Sequence, residues 1–224
     1  MASMKHVRTT RRQPEAPARR DLDDRGSVIP EFAFVVPILV LLFLGIFEFG
    51  MAFRADSGVS SAVRLANRTN TNQSPSRLAD LNSMLALRAG MVGQPNTLID
   101  YAIVYKGVRG SNSSPPPASC IAAAEALSVT ATSAAGVSNL CNIYTRGTLD
   151  SRLIQANFNG NPNCDANDFD RYYCPRGRSN TVATPDVVGI YVKATYTTQT
   201  GVLPSTNEIE LKDFSTMRVE PNPS

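Results

Sequence analysis

Residues 26–53, GSVIPEFAFVVPILVLLFLGIFEFGMAF, constrain the chain more than any other stretch. No basic residue stands between Gly26 and Arg54, and only Glu31 and Glu48 interrupt the apolar run. At ~1.5 Å per residue a helix of this length reaches roughly 40 Å, enough to cross a ~30 Å hydrocarbon core with some tilt. The pattern predicts a membrane-spanning helix over residues 27–53. An acid inside a bilayer costs on the order of 2.5 to 3.5 kcal/mol, so each carboxylate needs a reason. Glu48 stands near the far end, within reach of the interface. Glu31 stands near the other end, as a second interfacial acid unless the residues before it give it another role.

The residues before this run differ in kind. Positions 1–26 hold seven Lys or Arg and four Asp or Glu, with prolines and no periodicity, and read as a disordered basic leader. Basic residues precede the span and Arg54 alone follows it closely, which predicts a cytoplasmic N-terminus and an extracytoplasmic remainder. Arg11-Arg12 and Arg19-Arg20 lack the context of twin-arginine export. Of 22 basic and 19 acidic residues, 15 of each remain once the leader is set aside, so the rest of the chain is formally neutral. That balance argues against a nucleic-acid partner, which calls for spare positive charge.

The junction reads Arg25-Gly26-Ser27-Val28-Ile29-Pro30-Glu31-Phe32. It resembles the class III signal of type IV pilins, which a prepilin peptidase cuts after the glycine, here between Gly26 and Ser27. Glycine has no Cβ to clash in a tight site. Cleavage would free an amine on Ser27 about one helical turn from Glu31, whose carboxylate could pair with the amine of a neighbouring subunit. Beyond the junction, Glu31-Phe32, Pro37 and Gly45-Ile46-Phe47-Glu48-Phe49-Gly50 are similar to the N-terminal signature of TadE-like proteins, minor pilins (pseudopilins) of tight-adherence pili. Pro30 departs from that pattern, at a helix start where its missing N–H is tolerated. Residues 216–221 also look familial. The resemblance implies assembly roles for Glu31, Phe32, Pro37 and Glu48. It implies as partners a major pilin, a companion minor pilin, a prepilin peptidase and an inner-membrane assembly platform, with a location in the bacterial inner membrane or in an extracellular pilus. The function expected is pilus biogenesis and surface adherence; the alternative is an unprocessed, single-pass, membrane-anchored adhesion domain. Ordinary signal-peptidase cleavage after Ala52 is a third reading, for which the apolar run is long.

Past the membrane, Ala52, Ala55, Val59, Ala62, Val63 and Ala66 recur near a 3.6-residue period. The helix is expected to continue as an amphipathic stem over residues 54–69, leaving residues 70–224 as the extracytoplasmic domain. After a polar break at 70–74, Ser74-Pro75 reads as a cap and first helical residue, with Leu78, Leu81, Met84 and Leu85 on one face and Gly90 as the stop. Residues 97–105 read as a strand, 107–119 as a loop and 121–127 as a short helix. Residues 128–186 are rich in Asn, Ser, Thr, Gly and Asp and are assigned little regular structure. Two further strands are expected over 187–198 and 208–219. Helices first and strands later imply an α+β fold with an antiparallel sheet.

Cys120, Cys141, Cys164 and Cys174 all fall in the exported part, where an even count favours disulfides, with sequential pairing the simplest of three connectivities. The spacing lacks Cys-x-x-Cys, and the only histidine, His6, lies in the leader, so zinc and histidine-based catalysis are not expected. No cofactor, metal or enzymatic activity is expected. Asp165, Asn167, Asp168 and Asp170 are numerous enough to suggest calcium, yet the EF-hand glycine is missing; a solvated, disulfide-closed loop is the plainer reading.

Overall fold

The computed structural model describes residues 28–111, 113–158, 164–200 and 207–221, with side chains from residue 31 on. The leader and the Gly26–Ser27 junction lie outside the described residues. The chain divides into two units, Met1–Leu42 and Phe43–Ser224. In the first, residues 28–42 form the opening turns of the long helix α1, Val28–Gln73. From Glu31 to Leu42 every side chain is exposed except Val36, which is half-buried. Pro37 sits inside this helix, where its missing N–H leaves one carbonyl without its helical partner.

The second unit joins the rest of α1 to α2 (Ala79–Met91), β1 (Thr97–Lys106), α3 (Ala118–Glu125), β2 (Ala135–Val137), β3 (Cys141–Thr145), α4 (Arg146–Ser151), β4 (Val187–Thr197) and β5 (Glu208–Arg218). The fold is α+β. Its sheet is antiparallel throughout, in the order β2-β3-β1-β4-β5. Side chains alternate across a strand, and here both faces of the sheet are covered. Ala102 and Val104 of β1 join Ile190, Val192, Ala194 and Tyr196 of β4 in a core shared with Ala55, Val59, Ala62 and Ala66 of α1 and Met84 and Leu87 of α2. On the opposite face Tyr101, Ile103, Tyr105, Ile143 and Tyr191 pack with Cys120 and Ala124 of α3. Burial on both faces explains why β1 reads as a continuous apolar run rather than an alternating one.

Three expectations are revised. Ser74-Pro75 does not begin a helix: α1 runs through the polar stretch to Gln73, and α2 starts at Ala79. The polar residues that look like a break are partly core, since Asn70 is buried and its amide donates to Asp80 and Ser83. Gly90 does not stop α2, which continues to Met91. A Cβ at Gly90 would lie 2.8 Å from that of Ala62, so this glycine lets α2 approach α1 closely. Leu85 faces outward, and Leu87 takes the buried position. Finally, residues 128–186 contain β2, β3 and α4. β3 is hard to see because it is five residues long and carries Asn142 as its second residue, yet all five are buried.

Two disulfides, Cys120–Cys141 and Cys164–Cys174, hold this part of the chain in the sequential pairing. The first ties α3 to β3. The second closes a ten-residue separation that precedes β4. Each contributes roughly 2 to 4 kcal/mol by the loop-entropy argument.

Candidate assembly interface

α1 meets two environments along one continuous helix. From Glu31 to Arg54, Glu48 alone is buried, and Phe32, Phe34, Phe43, Ile46, Phe47, Phe49 and Phe53 are all more than half exposed. An uninterrupted apolar surface of this size is costly in water and suits lipid or the helices of other subunits. Among the described residues this is the one helix long and apolar enough to cross a membrane. Glu31 and Phe32 lie exposed at its start, and Pro37 lies exposed a turn and a half further on.

Glu48 is different. At 100° per residue it falls on the same helical face as Ala52, Ala55, Val59, Ala62 and Ala66, at steps of four and three residues. The stripe that faces the sheet therefore begins with a carboxylate. It is 2% exposed and fully engaged. The Tyr196 hydroxyl donates to its Oε1 at 3.0 Å. The Gln199 backbone N–H donates to Oε1 at 3.0 Å, and that of Thr200 to Oε2 at 2.9 Å. These donors come from the end of β4 and the residues just after it. Consecutive backbone N–H groups turned toward one carboxylate form an anion-binding concavity, and hydrogen bonds to a charged acceptor are the strong ones. Glu48 is thus held by its own chain. The sequence located this acid but not its partners. The signal was the phase it shares with the stem, which extends the apolar stripe one turn further back than its alanines suggest.

A second buried charged centre, formed by residues the sequence did not single out, holds the outer domain together. Asp80 and Arg178 pair at 2.8 Å with both side chains fully buried. Asp80 Oδ1 also accepts from the Asn70 amide at 2.8 Å, and Oδ2 from the Asn142 amide at 2.9 Å and the Tyr144 hydroxyl at 3.0 Å. Arg178 donates to Asn70 Oδ1 and to the Tyr173 carbonyl, and its guanidinium lies over the Tyr173 ring at 4.4 Å. A carboxylate with four donors and a guanidinium with several acceptors meet the condition under which a buried pair persists. The centre joins the end of α1, α2, β3 and the segment after the Cys164–Cys174 bridge. Asp80 could have been noticed in the sequence, since it shares the face of Met84 and Leu87 at helical spacing.

The acidic loop corrects another expectation in part: it is disulfide-closed, and Asp165 and Asn167 are exposed, but Asp168 and Asp170 are buried. Asp168 Oδ2 accepts from the Asp165 backbone N–H at 2.8 Å. Burial, reinforced by the charge of Asp80 and opposed by Arg178, pushes the Asp170 carboxyl up to about 8. Among the described residues no group of three or more His, Cys, Asp or Glu converges as metal ligands would.

Neither the curated proteins nor the solved structures contain a match to this chain. Residues 26–68 match the family model described as TadE-like protein. That match runs from the glycine of the leader junction through the exposed apolar helix and Glu48 to Arg68 of the stem. Over this segment the chain is similar to the TadE-like family.

Proposed function

We propose that this chain is a minor pilin of a tight-adherence (Tad-type) pilus, a structural subunit rather than an enzyme, that contributes to pilus biogenesis and surface adherence. A single observation carries the reading: the TadE-like segment coincides with the exposed apolar length of α1 and ends inside the stem that packs on the outer domain. On this reading the chain inserts into the inner membrane with its N-terminus in the cytoplasm, and residues 27–53 are the membrane segment. A hydrocarbon core needs about 20 residues of helix, which brings the lipid-crossing part close to Glu48. Prepilin peptidase cuts between Gly26 and Ser27. Glu31, exposed at the start of α1, then pairs with the new amine of a neighbouring subunit, while Phe32 and Pro37 belong to the surface that packs against other helices. Glu48 serves assembly from within, by fixing α1 to the domain it carries. The partners are the major pilin, a companion minor pilin and the inner-membrane platform.

The test is the N-terminal sequence of the mature protein from its native cell, with and without the prepilin peptidase. A start at Ser27 that disappears with the peptidase is expected. An intact leader would instead leave a membrane-tethered adhesion domain, and a start at Phe53 a released one.

A further inference from the structure

Within the unit Phe43–Ser224, one end of the domain lies level with the start of the stem. α2 runs antiparallel to α1. Asp80 at its beginning meets Asn70, Gly90 near its end packs on Ala62, and the following Gln94 packs on Gly58. β1 then starts at Thr97, which stands opposite Tyr196, the residue that holds Glu48. The turn over residues 92–96 and the start of β1 are therefore placed beside the part of α1 where exposed Phe47, Phe49 and Phe53 give way to Arg54.

This end carries an unusual surface. Val92 is 81% exposed and Leu98 55%. With Leu85 and Met91 they line an open groove of about 330 Å³ whose rim bears Arg88, Arg146 and Asp150. Arg146 is engaged with Asp100 at 2.6 Å. Among the described residues Arg88 has no carboxylate within ion-pair distance, which leaves its guanidinium available. Exposed aliphatic side chains next to a free arginine, at the level where a membrane helix emerges, match the chemistry of a lipid interface: apolar groups enter the headgroup boundary and a guanidinium pairs with phosphate.

We propose that this end of the outer domain rests on the surface of the bilayer that α1 crosses, with Val92 and Leu98 in the interface and Arg88 on lipid phosphates. The proposal rests on the reading of α1 as a membrane helix. Asp150 on the same rim offsets part of the positive charge, so attachment depends on apolar insertion, with Arg88 orienting it. Docked in this way, the domain holds a fixed tilt until the subunit leaves the membrane.

The chain contains no tryptophan, so one introduced indole reports its own surroundings. The full chain is reconstituted in vesicles of phosphatidylcholine and phosphatidylglycerol with brominated acyl chains, as Phe47→Trp, Val92→Trp, Leu98→Trp or Val182→Trp. Val182 is exposed and precedes the opposite end of β4. Strong quenching is expected for Phe47→Trp, and several-fold more quenching for Val92→Trp and Leu98→Trp than for Val182→Trp; adding Arg88→Glu should lower it at Val92→Trp. If Phe47→Trp is quenched while Val92→Trp and Leu98→Trp match Val182→Trp, the docking proposal is overturned and the anchor stands. An unquenched Phe47→Trp overturns both. Blue-shifted but unquenched emission from Val92→Trp would mean that protein covers the groove instead, and also overturns the proposal.

Discussion

Tyr196, at the end of β4, donates its hydroxyl to the carboxylate of Glu48, 148 residues earlier in the chain, at 3.0 Å. This contact, with the backbone N–H groups of Gln199 and Thr200, turns an acid inside an apolar helix into the point where that helix is fixed to the domain.

The two acids of α1 should therefore respond differently to substitution. Glu48→Ala leaves three donors without an acceptor, the buried Tyr196 hydroxyl and two partly buried backbone N–H groups, and is expected to cost roughly 1 to 3 kcal/mol. Glu31→Ala removes an exposed side chain and should leave the thermal midpoint of the full chain in detergent unchanged. In cells the order of mechanism is different: Glu31→Ala is expected to permit cleavage after Gly26 yet impair piliation. Equal stability losses in the two variants would refute the clasp, and normal piliation without Glu31 would remove it from assembly.

Asp170 should make stability fall as pH rises. Its carboxyl titrates near 8 when folded, against an ordinary value of 3.8. Between those values the folded state binds the proton that the unfolded state has released, so unfolding free energy declines with pH through this window and levels off above it. Asp170→Asn is expected to flatten the decline, matching the parent chain near the acid end and exceeding its stability at the alkaline end. Urea unfolding across the window measures this, and an unchanged slope would assign the decline to another group.

Removing one member of the Asp80–Arg178 pair should be severe. Arg178→Met strands a buried carboxylate and is expected to cost about 3 to 5 kcal/mol. The double variant Asp80→Asn/Arg178→Met removes both charges and should recover part of that loss. A double variant as unstable as the sum of the two single ones would mean that the two charges are not coupled.

The disulfides should differ modestly. The separations of 21 and 10 residues give closure terms near ~3.3 and ~2.7 kcal/mol. Replacing Cys120 and Cys141 together by serine is expected to lower stability somewhat more than replacing Cys164 and Cys174, as read by chemical denaturation.

The features legible in the sequence were those with strong periodicity. Residues 27–53 announced a membrane helix by length, the stem by the spacing of Ala55, Val59, Ala62 and Ala66, β1 and β4 by runs of Val, Ile and Tyr, and the start of β5 by the alternation of Glu208, Ile209, Glu210 and Leu211. The polar core was not legible. Asn70, Asn142, Asp170 and Arg178 look like surface residues one at a time, because composition is blind to distant partners such as Asp80 for Asn142 and Asn70 for Arg178, 62 and 108 positions away. Asn142 misled most: it is the second residue of β3, and its amide gives to Asp80 what a solvent-facing asparagine would give to water. Glu48 was visible as an exception, but its donors lie in a segment that no local pattern connects with α1.

The distance along the chain between Glu48 and its donors fixes when the clasp can close. A polypeptide made from its N-terminus presents Glu48 well before residues 196–200. Until then the carboxylate has none of these donors, and the central strand β1 lacks β4 on one side. α1 is therefore locked at Glu48 only after β4 and the residues just beyond it have taken their places beside β1, so the clasp closes late, on a domain already assembled around its central strand.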